Sequence, residues 1–277
     1  MFDRPMEAVL NPGSLRAIVL RNLLSQCPRS WLRLLSYKTL LLGNVVERPS
    51  YGYCMYQAAI LARQLGHKTI SAIEFGVAGG NGLVAAERHA REISRELGVQ
   101  FEIYGFDSGE GLPAPTDYRD LPFIWQQGFY AMDQKALMKR LEISQLVIGN
   151  VLEKCADFFT RYHPAPIGCI FWDLDFYSST VEAFEVLSGD YGYFLPRVWM
   201  YFDDIVGSPY SDFTGERLAI TEFNARSRRG KISQDYSISC HPMNRFWKHQ
   251  IFVYHDFSHP GYCTLVGPAD RQLHLCR

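Results

Sequence analysis

The chain has 277 residues, 47% hydrophobic and 21% charged, with a formal net charge of −1. That is enough chain to bury one large core plus a smaller appendage, and the composition is globular rather than disordered or fibrous. Near-neutrality gives no global signal for nucleic acid, so none is expected as a partner.

The first 66 residues hold eight Lys/Arg against three Asp/Glu, a basic segment ahead of an acidic body. Such a segment reads as packing against the body or as a subunit contact, so a homo-oligomer is a possible state. Two helices are expected there, over 14–25 and 31–42. Ser14 can cap the first, and Leu15, Ile18, Val19 and Leu23 line one side of it. Residues 1–53 are assigned to an N-terminal helical lid ending in a Pro49–Tyr53 linker, and residues 54–277 to the main domain. A helix over about 54–66 opens that domain. Tyr51 and Tyr53 stand near the end of the next strand, where packing or a ligand could use them.

That strand is the short apolar run Ile70, Ala72, Ile73, which breaks into Gly76, Gly79, Gly80 and Gly82. Glycine admits positive φ and lets a ligand approach the backbone. Leu83, Ala86, Ala90, Ile93 and Leu97 then recur at helical spacing up to a Gly98 cap. Strand, glycine turn and helix open a nucleotide-type α/β fold. A dinucleotide fingerprint is excluded by Ala78 and Asn81, which stand where it needs glycine.

Strands and helices alternate from there. The expected strands are 99–106, 146–148, 167–172, 198–202, 231–238 and 250–255. The expected helices are 133–141, 151–162, 178–187 and 215–226. A long aromatic loop, 108–130, follows the second strand. The pattern is α/β, a Rossmann-like, mostly parallel, doubly wound sheet of about seven strands with ligands at the strands' carboxyl ends.

Those ends are acidic or polar. The first strand ends at Glu74, the second at Asp107-Ser108, the third at Gly149-Asn150, the fourth at Asp173 and the fifth at Asp203-Asp204. Asp107 is placed to accept hydrogen bonds from ribose hydroxyls, or else to cap a turn with Ser108. If the chain stays extended, Asp173 and Asp175 point to one side. Carboxylates converging in a cleft repel one another unless a cation sits among them, and oxygen-only ligands suit Mg²⁺ or Ca²⁺.

The seven cysteines are scattered with no C-x-x-C pairing, so neither a disulfide framework nor a zinc site is expected. His241, His249, His255 and His259 match no zinc spacing. Asp3, Arg4 and Glu7 precede any apolar run, and the apolar stretch 32–46 is short and contains Arg33 and Lys38. No signal peptide or transmembrane segment is therefore expected, and the default setting is cytoplasmic.

With these residues placed, the chain resembles a class I S-adenosylmethionine-dependent methyltransferase, more narrowly the macrocin O-methyltransferase family of natural-product biosynthesis. The resemblance spans roughly residues 70–225. It rests on Glu74-Phe75-Gly76-Val77-Ala78-Gly79-Gly80, on Tyr104 through Pro113, on Asp173 through Thr180, and on Asp203-Asp204. The chain departs from that family in carrying Ala78 where Trp-Arg is usual and Gly109 where an aromatic is usual. The resemblance implies S-adenosylmethionine held by Glu74, Gly76, Gly79, Gly80, Asp107, Ser108 and Asn150. It implies Mg²⁺ ligated by Asp173, Asp203 and Asp204, with Asp175 as general base. The implied reaction is Mg²⁺-dependent O-methylation of a small-molecule hydroxyl of sugar or phenol type. A metal-independent N-methyltransferase and a non-catalytic S-adenosylmethionine-binding protein are the alternatives.

Overall fold

The computed structural model describes residues 35–239 and 246–266. The helix expected over 14–25, the start of the one expected over 31–42, and His241 lie outside the described residues.

One seven-stranded sheet organises the chain, in the order β3-β2-β1-β4-β5-β7-β6. The strands are β1 (Thr69–Phe75), β2 (Gln100–Asp107), β3 (Gln145–Ile148), β4 (Ile167–Trp172), β5 (Phe194–Phe202), β6 (Gly230–Gln234) and β7 (Ile251–Asp256). β1 to β5 are parallel, and β7 runs antiparallel to both β5 and β6. The expected mostly parallel sheet is thus present, with its order reversing between β1 and β4.

Both faces are covered, because side chains alternate along a strand. Ile70 and Ala72 of β1 join a core with α2 (Pro49–Gln64) and α3 (Asn81–Leu97). Ile73 and Phe75 join a second core with α5 (Val151–Tyr162), α6 (Tyr177–Ala183) and α7 (Gly215–Arg226). Aromatic rings fill that second core. Trp172 stacks between Phe75 and Phe202, and Phe158 meets Tyr104 and Phe106 edge-on.

Three elements differ from expectation. Residues 49–53 are no linker but the first turn of α2, since Pro49 sits where a helix needs no N–H. Ser50 to Cys54 are all buried there. The strand expected to reach residue 238 stops at Gln234. Asp235 Oδ1 accepts from the Ser237 N–H at 3.0 Å, and this local turn opens the short helix Tyr236–Ser239. β5 begins four residues early, at Phe194, because the register against β4 shifts and accommodates Pro196. The short helices α1 (Tyr37–Leu42) and α4 (Gln134–Met138) are capped by Ser36 and Asp133. No helix of the described residues is long and apolar enough to cross a membrane.

Phe158 is fully buried among four aromatic rings. Phe158→Ala is expected to lower unfolding free energy by about 3–5 kcal/mol in urea titration. A loss under about 1 kcal/mol would contradict this packing.

Candidate functional site

The sheet register brings the acids together. Phe75 of β1 pairs with Trp172 of β4, which pairs with Phe202 of β5, so three neighbouring strands end level. The chain continues each ladder by one bond. The Asp173 N–H donates to Phe75 O and the Asp203 N–H to Trp172 O, each at 2.9 Å. Carboxylate atoms of Asp173, Asp203 and Asp204 lie within 4.8 Å of one another. Gly76 is where β1 crosses this edge. Its φ is +84°, and a Cβ there would sit 1.7 Å from the Asp173 carbonyl oxygen.

These ends open into a cleft of about 760 Å³, a size suited to a small-molecule ligand. It is lined by every residue that the resemblance assigned to the cofactor, the metal or the base, namely Glu74, Gly76, Gly79, Gly80, Asp107, Ser108, Asn150, Asp173, Asp175, Asp203 and Asp204, whereas Tyr51 and Tyr53 do not line it. His249, His255 and His259 do not line it, and His255 instead meets the Tyr262 hydroxyl at 2.9 Å.

Asp175 reaches the cluster differently from the extended chain expected. Its φ is +60°, in the left-handed region, directly before α6. Non-glycine residues held so are found at functional sites, where surrounding structure over-determines them. Asp175 is buried, and Asp204 and Asp203 are its charged neighbours. Burial first, then those carboxylates, push its carboxyl up to about 8. Burial, and then Asp203, likewise raise Asp173 well above the carboxylate range. Burial lifts Asp204 to about 6, against the lowering hydrogen bond from Tyr210.

A second layer holds the acids in place. Tyr201 donates to Asp203 Oδ1, and Tyr210 donates to Asp204 Oδ1 at 2.5 Å. Glu216, fully buried at the start of α7, accepts from the Asp204 N–H at 3.1 Å. Asp204 Oδ2 is buried with no partner among the described residues. Three converging carboxylates with an orphaned oxygen form an all-oxygen donor set, which a hard divalent cation fits.

The other half of the cleft surrounds the glycine turn. Glu74 is 2% exposed; Tyr51 donates to its Oε1 at 2.8 Å, and its Oε2 is buried without a partner among the described residues. Burial raises the Glu74 carboxyl to about 7, opposed by Tyr51 and Arg48. Asp107 spends its carboxylate largely on the chain. Oδ2 accepts from Val77 N–H at 2.8 Å and Ala78 N–H at 2.9 Å, and Oδ1 accepts from Gly109 N–H at 2.7 Å. It therefore fastens the glycine turn to β2 and also serves the local turn that sequence left open. Ser108 donates to Gly111 O at 3.0 Å, and Asn150 caps α5 through the Glu153 N–H.

The 108–141 segment clamps this half. A Cβ on Gly80 would strike Leu137, and Arg140 donates to Gly79 O and Asn81 Oδ1. Asp120, with no exposed surface, pins the aromatic loop: Thr116 N–H and Oγ1, with Ser178 N–H and Oγ, all donate to its carboxylate. Trp125 and Tyr130 line the cleft beyond that pin.

Sequence reading missed Arg48, Tyr201, Tyr210 and Asp120. Arg48 lies just ahead of the misread helix start and lines the cleft. Strand alternation offered one signal, since Tyr201 lies two residues before Asp203. Asp120 ends a single 3-10 turn, Tyr118–Asp120, and Tyr210 sits in a loop, and the placement of both is tertiary.

No family model and no curated protein matches the chain. Among solved structures, it is similar to the O-methyltransferase NovP, at 13% identity and a TM-score of 0.51, over 87% of this chain and 99% of that one. It is also similar to the calicheamicin methyltransferase CalS11, at 20% identity over 81% and 86% of the two chains, TM-score 0.45. An O-methyltransferase from Bacillus cereus in complex with SAH matches at 12% identity over 91% and 94%, TM-score 0.40. The NovP likeness shows the class I methyltransferase fold.

The raised acids make stability depend on pH. A carboxyl whose folded value lies above its unfolded one stabilises below the unfolded value and loses that contribution as pH rises through the folded one. With Asp204 at about 6 and Asp175 at about 8, Tm in EDTA should fall between about pH 5 and about pH 8. Asp175→Asn should flatten that slope. A Tm rising across the window would contradict the acid geometry.

Proposed function

We propose that the protein is an S-adenosylmethionine-dependent O-methyltransferase that uses a divalent cation, with Mg²⁺ as first choice, on a small-molecule hydroxyl. The observation that carries this reading is the meeting of a glycine turn and an acid cluster in one cleft at the parallel sheet's carboxyl edge.

The donor fits the first half. Glu74 Oε2, buried and unpartnered, is an acceptor suited to the ammonium of the methionine part. Gly76 to Gly80 offer close backbone approach, and Asp107 with Ser108 and Asn150 lines the wall where a ribose would lie. S-adenosylmethionine supplies, when bound, an electrophilic methyl on a sulfonium.

The cation fits Asp173, Asp203 and Asp204, and when bound it supplies charge neutralisation and lowers the pKa of an adjacent hydroxyl. Asp175 is the base. Its carboxylate takes the hydroxyl proton, and its elevated proton affinity suits that transfer near neutrality. The acceptor oxygen's lone pair then forms the new O–C bond as the S–C bond breaks. Trp125 and Tyr130 line the part of the cleft where an acceptor would lie, so the protein's contribution is mainly positioning. A sugar or a phenol fits such a wall.

A second reading, metal-independent transfer, draws on Arg48, whose guanidinium lies 3.9 Å from Asp173 Oδ2 and already brings a positive charge to the cluster. EDTA separates the two, because turnover that survives chelation belongs to the second.

Calorimetric titration of S-adenosylmethionine with Mg²⁺, and again after EDTA, tests the main reading, with binding expected in both and altered by the metal. Asp203→Ala should abolish Mg²⁺-dependent turnover while leaving donor affinity within a few-fold. Equal loss of both would count against the metal role, and no donor binding by the wild type would sink the assignment.

A further inference from the structure

Arg48 is held where a chance surface arginine would not be. Its φ is +42°, immediately before α2. Its carbonyl accepts from the Tyr51 N–H at 3.1 Å and meets His89 Nε2 at 3.1 Å. A carbonyl only accepts, so Nε2 carries the proton and Nδ1 accepts from the Tyr37 hydroxyl at 2.5 Å. His89 is buried, and burial holds it down to about 4, so this strut stays neutral. A buried relay thus fixes the Arg48 backbone.

The side chain is then aimed at the cleft with most of its donors unspent. The guanidinium lies 5.2 Å from the Tyr51 ring centre, and Nη1 reaches the Tyr51 hydroxyl at a long 3.4 Å. Its ion pair with Asp173, at 3.9 Å, is too long for a hydrogen bond. Among the described residues, five N–H donors and one weak bond leave a fork free for a planar anion. The same Tyr51 hydroxyl donates to Glu74 Oε1, while Glu74 Oε2 has no partner among the described residues. An unpartnered carboxylate oxygen and an unspent guanidinium therefore stand two hydrogen bonds apart, both lining one cleft.

An α-amino acid presents an ammonium and a carboxylate on one carbon, so it matches such a pair. Resting on the donor reading above, we propose that Arg48 binds the α-carboxylate of the donor's methionine part while Glu74 takes its ammonium. Arg48 is then a donor-specificity residue, selecting sulfur nucleosides that carry the amino-acid arm.

The test compares S-adenosylhomocysteine, which has the arm, with 5′-methylthioadenosine, which lacks it, by calorimetry on the full chain in EDTA. Arg48→Gln should weaken S-adenosylhomocysteine about 10- to 100-fold and leave methylthioadenosine within about two-fold. Arg48→Lys, which keeps the charge and loses the fork, should fall between. Equal weakening of both ligands, or of neither, overturns the proposal. Should Arg48→Gln fail to fold, Arg48→Lys decides alone: selective loss of S-adenosylhomocysteine supports the assignment, and equal loss overturns it. A wild type that binds methylthioadenosine as tightly as S-adenosylhomocysteine overturns the role of Arg48 but not the donor site. A wild type that binds neither overturns both.

Discussion

Three parallel strands ending level at one edge of the sheet set the terms for the rest of the molecule. Because β1, β4 and β5 are in step at Phe75, Trp172 and Phe202, the residue that follows β4 lies beside the residue that follows β5. Asp173 and Asp203 are neighbours by register, not by loop conformation. Like charges so placed repel, and with burial this raises the proton affinity of Asp173 and Asp175, while tyrosine hydroxyls donate to Asp203 and Asp204. The tightness at Gly76, which leaves no room for a Cβ against the Asp173 carbonyl, is the backbone side of the same constraint.

The two halves of the cleft are joined by one segment. Residues 108–141 fasten to the glycine turn through Leu137 and Arg140, and to the start of α6 through Asp120. Asp107 ties β2 to the glycine turn from beneath. The wall that would meet an acceptor and the turn that would meet a donor are therefore parts of one hydrogen-bonded unit, so a shift in one reaches the other through packed contacts rather than through solvent-filled space.

Much of this was legible in the chain itself. Strand endings were readable because a buried parallel strand is an apolar run whose stop is abrupt, so Glu74, Asp107, Asp173 and Asp203-Asp204 announced themselves. The helix start at Pro49 was misread because proline marks both turns and first helical turns, and only burial of Ser50 to Cys54 distinguishes them. The left-handed turn at Asp175 was hidden, since nothing local forbids the extended alternative. Arg48 and Asp120 were invisible for a different reason: their partners lie 41 and 58 residues away, at His89 and Ser178. Asp107 shows the limit from the other side, a residue correctly placed whose carboxylate turned out to be shared with the backbone.

The Asp120 pin divides the aromatic loop into two zones with separate histories open to them. Up to Leu121, which is buried with φ +55°, the loop is anchored, and a change there disturbs α6 and the turn that carries Asp175. Beyond it Phe123, Phe129 and Tyr130 are exposed, and Trp125 and Tyr130 line the cleft. Substitution in that outer zone can redraw what the cleft admits while leaving in place the strand register that gathers the acids, although Tyr130 faces them, its hydroxyl pKa raised by burial and then by Asp175 and Asp204. On the proposed reading, a lineage built on this scaffold can thus exchange one acceptor for another in small steps while keeping the same sheet edge.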